Sequence, residues 1–581
     1  MKKFKNIKRT AFLDPPLRKG HGIFLLIELM FCVYSSTRRG KCKRFYRYNI
    51  KVMLDSPTSS SANRQITRAA GIVMVATILS QVAGLAARIL IARAFGTSID
   101  SDAYFAANRY SEILFNLVAG GALGSAFIPT LATMLERDDR TGAWKLASAL
   151  ANWLVLIMTA LALLSAFFAD WVVRTILAPS YAADPARLNL TVELLRIQLP
   201  STVLFGLSGL VMGILNVHQS FLFPALAPAM YSIGQCLGAA LAPVFGVEGL
   251  AYGVVLGAAL HLGIQVPRLL RLPARRYSFT LGFHLPEVSK VARLMAPRLL
   301  GVAVTQLNFL VNTNLATAMA LGSVTGISQA FPLMYMPLAA IAQSVAVAAL
   351  PTFSAQVARG RLDEMRASLA AALRGVLLLA LPASVGLMLL RTPIVALVYQ
   401  HGEFTAESTA LVAWALLFYA FGLVGFSIVE IVSRAFYALH DTKTPVAVGV
   451  AAMTLNLGFS LLFSDLFRRI GWAPHGGLAL ANSLATYLEA FALLYLMRRR
   501  LGGLDGRRIL AGLGQSALAA LVMGAVVVGW QSLVGDGSSA VAALGGVAIG
   551  GAIYWAGLLV LGVREARQAL GLVQRRVFGH H

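Results

Sequence analysis

Phe127-Ile128-Pro129-Thr130-Leu131 returns as Ala349-Leu350-Pro351-Thr352-Phe353, 222 positions further along a chain of 581 residues. Each copy ends a long apolar segment, and a basic residue, Arg137 or Arg359, stands eight positions after each proline. Pro224, after the polar turn Asn216-Val217-His218-Gln219-Ser220, has its counterpart in Pro445 after His440-Asp441-Thr442-Lys443, and Ser80-Gln81 resembles Thr305-Gln306. A repeat of this length in so apolar a chain predicts two copies of one membrane bundle, the construction of many secondary transporters.

Composition agrees. Hydrophobic residues make up 57% and charged residues 13%, with a mean hydropathy of +0.71, whereas a soluble domain carries about 25% charged residues. The fold class is therefore all-α, an integral membrane protein. Stretches of about 20 apolar residues, the length that crosses a bilayer core, occur near 70–95, 102–133, 145–177, 191–215, 222–243, 247–266, 292–319, 325–356, 367–390, 408–433, 444–464, 478–497, 510–533 and 540–563, giving 14 transmembrane helices. The first six and the next six form the two repeats. Because each copy has an even number of spans, both enter from the same side and are parallel. The predicted organisation is a basic N-terminal extension over 1–66, a first lobe over 67–275, a second over 286–500, a pair of C-terminal helices over 508–566 and a tail over 567–581.

The net charge of +25 is explained by topology rather than by nucleic acid. With the segment before the first span in the cytoplasm, the connections on that side hold Arg137, Arg140, Arg268, Arg271, Arg275, Arg276, Arg359, Arg361, Lys443 and Arg498 to Arg500. The other side holds little beyond Arg187, Arg391, Arg468 and Arg469. This asymmetry predicts both termini in the cytoplasm. Residues 1–52 carry fourteen Lys or Arg against Asp14 and Glu28. Their one apolar run, Gly22 to Tyr34, is too short to span and is interrupted by Glu28. Translation from Met53 is the simpler reading of this leader, and a basic arm on anionic lipid is the other.

The chemistry-bearing motifs of enzymes and pumps are not found. Gly545-Gly546 and Gly550-Gly551 lack the Lys-Ser/Thr of a phosphate loop and suit close helix packing. Cys32, Cys42 and Cys236 have neither metal nor disulfide spacing, and no paired carboxylates or nucleophile with a base emerge. A transporter, not an enzyme, is expected. Pro228, Pro267, Pro297, Pro332, Pro337, Pro382 and Pro393 lie in or at the ends of spans, where neighbours must satisfy the freed carbonyls.

What stands out is charge at membrane depth, where each ionisable group costs about 2.5–3.5 kcal/mol or more. Arg88, Arg93, Asp102, Arg109 and Glu112 lie in the first two spans with Asn108 beside them, and the seventh holds Arg298, Gln306, Asn308, Asn312 and Asn314. Arg88, Arg109, Arg298, Gln306, Asn312 and Asn108 are the candidate cavity residues; Asp102, Arg93 and Glu112 are structural or gating candidates. Arg109 and Glu112 are spaced to pair with each other, as are Glu430 and Arg434. For Gln306 and Asn312 the alternative to cavity lining is hydrogen bonding between helices. Glu489 and His261 have no partner visible in the sequence. Positive charge deep in both copies suggests an anionic cargo, since a desolvated phosphate needs Arg or Lys donors.

From about Ile66 onward the chain resembles the MurJ/MviN family of lipid II flippases, within the multidrug/oligosaccharidyl-lipid/polysaccharide exporter superfamily. The supporting stretches are Ala92-Arg93-Ala94-Phe95-Gly96, Ser101-Asp102-Ala103-Tyr104-Phe105, Gly121 to Pro129, Met295 to Val302 with Gln306 and Asn312-Thr313, Tyr399-Gln400-His401-Gly402-Glu403-Phe404-Thr405, and Phe436-Tyr437-Ala438 leading to Asp441-Thr442-Lys443-Thr444-Pro445. The resemblance implies a V-shaped bundle whose cavity is lined by spans one, two, seven and eight, with the last two spans forming a groove for a lipid tail. It implies transfer of the undecaprenyl-pyrophosphate-linked peptidoglycan precursor across the bacterial inner membrane by alternating access, for cell-wall synthesis. The expected partners are this lipid substrate, membrane lipids and cell-wall enzymes. No cofactor is expected; coupling to the membrane potential or an ion is.

The chain departs from the family where arginines are usual, carrying Gln81, Ala87, Phe115 or Asn116, and Pro332. Arg88 lies one position from a lost arginine, Arg109 matches a basic family position, Asp102 matches the family's aspartate, and Arg298 is an added charge. Acidic sodium ligands of some relatives, in the seventh and eleventh spans, have no equivalent. A flippase for another polyprenyl-linked saccharide and a non-transporting membrane scaffold are the alternative readings.

Overall fold

The computed structural model describes residues 59–118, 122–273, 275–535, 537–563 and 565–567. They are helical apart from the connecting turns and loops, with no strand among them. The first repeat comprises α1 (Ser59–Phe95), α2 (Ile99–Val118), α3 (Ala122–Glu136), α4 (Arg140–Phe167), α5 (Pro185–Gln198), α6 (Pro200–Val217), α7 (Leu222–Ala240) and α8 (Glu248–Gly263). The second comprises α9 (Pro286–Thr317), α10 (Ser323–Leu338), α11 (Ser344–Ala358), α12 (Leu362–Leu389), α13 (Arg391–Tyr399), α14 (Ala406–Ala438), α15 (Lys443–Arg469) and α16 (His475–Arg500), followed by α17 (Gly506–Val534) and α18 (Ser539–Val560). The leader before Ser59 and the tail after Ala566-Arg567 lie outside the described residues.

Eleven of the described helical segments are long and apolar enough to cross a membrane, against the 14 expected from the sequence. The predicted spans near 102–133, 222–243 and 292–319 are helical as well, in α2 with α3, α7 and α9. The repeat is visible in where helices end: α1 stops at Phe95 and α9 at Thr317, 222 positions apart. Pro129 and Pro351 both lie inside their helices. A π-helical turn, Ala339–Gln343, separates α10 from α11, and such turns tend to occur at functional sites.

Each copy has its own core. In the first, Tyr104, Leu177, Leu194 and Leu250 are buried together, with a second cluster around Phe127, Leu146 and Leu215. In the second, Phe353, Phe404, Leu416 and Phe436 form the largest cluster. Helices α17 and α18 add a separate cluster with α12 and α13 through Leu378, Leu390, Met523 and Tyr554. The connection between the copies is pinned along α4. The Asn152 amide donates to the carbonyls of Ser278 (3.3 Å) and Thr280 (2.8 Å), Trp153 Nε1 donates to Leu281 O (2.9 Å), and the Tyr277 hydroxyl donates to Asn152 Oδ1 (2.7 Å). At the start of α15, Asp441 accepts from the backbone N–H (3.1 Å) and hydroxyl (2.8 Å) of Thr444, bonds that hold its carboxyl below the usual carboxylate range.

Helices α7 and α8 touch backbone to backbone through two reciprocal Gly-x3-Gly pairs, Gly234/Gly238 and Gly253/Gly257. A Cβ on Gly253 would sit 2.8 Å from both Gly234 O and Gly238 Cα, inside van der Waals contact. Without water to drive association, such small-residue seams carry helix pairing. Gly253→Leu is expected to destabilise the protein by at least about 2 kcal/mol, the usual scale of overpacking, read as a lower Tm in detergent. Gly551→Leu, where no atom lies within 4 Å of the added Cβ, should leave Tm unchanged.

Candidate functional site

The two copies meet at the end of the bundle that carries Gly96. Glycine 96 takes a positive φ of 55°, which ends α1 and turns the chain into α2. Glu403 N–H donates to Arg93 O (2.9 Å), Thr97 and Ser408 share a hydroxyl bond of 2.8 Å, and Ser101 and Thr325 another of 2.9 Å. Asn314 donates to Ile176 O (2.9 Å) and Ser180 to Thr317 (3.0 Å).

Asp102 is the centre of this seam. The N-cap of α10 is Gly322, which has no side chain to satisfy the first N–H groups of its helix. Asp102 supplies the cap from the other copy: Oδ2 accepts from Gly322 N–H (2.8 Å), and Oδ1 from the N–H (2.8 Å) and hydroxyl (2.6 Å) of Thr325. It is 4% exposed. A carboxylate at a helix N-terminus gains both hydrogen bonds and the helix dipole.

Beyond this seam a cavity of about 650 Å³ opens between the copies. Its wall on α1 is a stripe at helical spacing, Thr77, Ser80, Gln81, Gly84, Leu85 and Arg88. Helices α6 and α7 contribute Met212, Pro224, Pro228, Tyr231 and Ser232; α10 and α13 contribute Phe331, Pro332, Tyr335 and Tyr399. Arg88 is the one charged side chain among these described lining residues.

Pro332 explains how Arg88 is held. In a helix the carbonyl of residue 328 would accept from the N–H of residue 332, and proline has none. Arg88 Nη1 donates to that released Ser328 carbonyl at 3.1 Å. The same arrangement recurs in α12: Pro382 releases the Leu378 carbonyl, and the Tyr554 hydroxyl donates to it at 2.6 Å. The sequence shows the prolines but not the donors, which come from elements distant along the chain.

Of the positions where the family usually carries arginine, Gln81 and Pro332 line the cavity, Ala87 is buried at 1% exposure, and Phe115 packs on Phe205 with ring centres 4.7 Å apart. The remaining candidates take other places. Arg109 pairs with Glu112 at 2.8 Å and lies over the Phe309 ring at 5.2 Å. Asn108 donates to the other Glu112 oxygen at 2.9 Å, so Glu112 serves two partners on its own helix. Arg93 is exposed and contributes its carbonyl to the seam. Gln306 is buried on α9. The Arg298 side chain lies outside the described residues.

Asn312 belongs to a network joining α9 to α15. Its amide donates to Asn308 Oδ1 (3.2 Å) and its Oδ1 accepts from the Ser460 hydroxyl (2.9 Å), while Asn308 also accepts from Asn456 (3.0 Å) and donates to Met453 O (3.2 Å). Among the described residues no cluster of three or more His, Cys, Asp or Glu is placed to hold a metal ion.

A two-copy helical bundle with a cavity between the copies has the architecture of a membrane transporter rather than an enzyme. Its fold is shared with an inward-facing multidrug resistance transporter of the MATE family and MOP superfamily, at a TM-score of 0.61 with 16% identity, over 75% of this chain and 98% of that one. The family model described as lipid II flippase MurJ matches residues 91–544, and the chain belongs to that family. It is 32% identical over 430 residues to the lipid II flippase MurJ of Burkholderia cenocepacia, covering 73% of this chain and 82% of the relative. The probable lipid II flippase MurJ of Vibrio cholerae is 29% identical over 531 residues, 87% and 98% of the two chains. A solved lipid II flippase MurJ in an inward closed conformation superposes at a TM-score of 0.73 with 26% identity, over 86% of this chain and 99% of that one.

Proposed function

We propose that this chain moves lipid II, the undecaprenyl-pyrophosphate-linked peptidoglycan precursor, from the inner to the outer leaflet of the bacterial inner membrane by alternating access. The observation that carries the reading is Arg88, the one charged side chain among the described lining residues of a cavity between two copies of one bundle. A diphosphate stripped of water needs such a donor, while the prenyl chain stays in lipid. The basic connections favour cytoplasmic termini, and on that reading the Asp102 seam is the outer gate and the cavity faces inward. The cycle draws on the membrane potential or an ion, and enzymes that polymerise the exported precursor are the neighbours expected at the outer face.

The neutral Gln81 and Pro332 in the cavity wall favour a second reading, a flippase for another polyprenyl-linked saccharide. A scaffold has no use for a guanidinium facing a cavity. Complementation of a bacterium depleted of its lipid II flippase separates these readings. The wild-type chain is expected to restore growth; failure by an inserted, stable chain would overturn lipid II as the cargo.

A further inference from the structure

Tyr399 ends α13 and lines the cavity. It is 0% exposed, and its hydroxyl has no hydrogen-bond partner among the described residues. Other hydroxyls of the same wall are satisfied. Tyr335 accepts from Gln343 (2.7 Å), Tyr231 accepts from Gln235 (3.1 Å), Ser80 donates to Ala76 O (2.9 Å), and Ser232 donates to Pro228 O (3.2 Å). A buried hydroxyl left without a partner is uncommon and calls for an explanation.

Two further observations give the explanation a direction. Arg88 lines the same cavity as Tyr399, and only one of its donors has a described partner, the Ser328 carbonyl. The tyrosine ring is fixed from behind by Phe404, with centres 5.7 Å apart, and both rings belong to the core of the second copy. Arg88 belongs to the first copy. An anion reaching both groups therefore touches both copies at once.

We infer that Tyr399 is a binding residue for the diphosphate of the lipid-linked substrate, its hydroxyl donating to a phosphate oxygen while the guanidinium of Arg88 donates to another. This rests on the reading of the chain as a flippase for a diphosphate-linked lipid, not on which saccharide the lipid carries. Tyrosine adds a donor without adding charge. Because the phenol sits on the copy opposite Arg88, the pair makes the approach of the copies sensitive to whether a phosphate lies between them.

Tyr399→Phe keeps the ring and its packing on Phe404 and removes only the hydroxyl. Dissociation constants of the purified protein are measured for lipid II, undecaprenyl diphosphate and the neutral alcohol undecaprenol. A hydrogen bond to a charged group corresponds to about a tenfold change or more. The variant is expected to bind both diphosphates about tenfold more weakly and undecaprenol unchanged, with an unaltered Tm. In an Arg88→Ala background the same substitution should cost clearly less, because the two groups share one anion. Unchanged lipid II and undecaprenyl diphosphate binding would overturn the inference, as would equal weakening for all three ligands, the mark of a packing role. If wild type prefers undecaprenyl diphosphate to lipid II while Tyr399→Phe still loses tenfold on it, the inference stands and lipid II as cargo falls. If wild type binds neither diphosphate, both fall.

Discussion

Arg88→Ala abolishes rescue of a flippase-depleted strain and weakens binding of a diphosphate lipid by about 30-fold or more. The size follows from Arg88 being the one charged side chain of the described cavity wall: truncating one member of a buried charge pair costs about 2–5 kcal/mol, and no second cation stands among the described lining residues to compensate. Lysine is expected to recover only part of the loss, since it keeps the charge but not the planar fork that reaches the Ser328 carbonyl and a phosphate together. Growth in depletion medium and equilibrium binding to undecaprenyl diphosphate are the two measurements. Full rescue by Arg88→Ala, with expression equal to wild type, would place the essential contacts elsewhere in the cavity.

The second large effect is expected at Asp102. Three hydrogen bonds from Gly322 and Thr325 converge on its carboxylate, and each bond to an ionised acceptor contributes about 1.5–3 kcal/mol. Alanine leaves the first N–H groups of α10 without a cap and removes the strongest link across the seam. In a two-state transporter this weakens the state in which the seam is closed, by tenfold or more in population. Thr97→Cys, placed in the seam, should then react at least about tenfold faster with a membrane-impermeant maleimide added outside. Transport falls at the same time, because a gate that does not close cannot alternate. Equal labelling rates with and without the Asp102→Ala change would mean that the seam is held by its other contacts.

The fold was legible because hydropathy and the 222-residue repeat are properties of the chain read in order. Arg88 was legible for a related reason: a guanidinium in an apolar helix is costly wherever it points. What those charges and amides touch was not legible. Asp102 could be suspected of a structural role, but its partners lie on α10, more than two hundred positions away. In sequence Asn312 fits cavity lining and helix pairing alike; what decides between them is Ser460 on α15, which donates to it, with Asn456 bonding its neighbour Asn308. Polar residues of α2 and α9 bond to other helices, Asp102 to α10 and Asn312 to α15, so polarity in these elements marks helix contacts. Tyr399 gave no sequence signal beyond its place in a motif, since an unpartnered hydroxyl exists only relative to everything packed around it.

On the proposed function, one guanidinium among the described lining residues has a consequence for the direction of current. A diphosphate diester with one ionised oxygen on each phosphorus is a dianion, so with such a cargo it and Arg88 together carry one net negative charge, whereas the empty cavity carries one net positive charge. The loaded cavity moves outward and the empty one returns inward. In an inside-negative membrane both half-cycles run downhill, by about 2.3 kcal/mol per elementary charge per 100 mV. A cavity with three or four arginines would be repelled on the outward stroke. With one cation among the described lining residues, the proposed cycle is electrogenic in the same sense on both strokes, a direction of current that a voltage-clamped reconstitution would read.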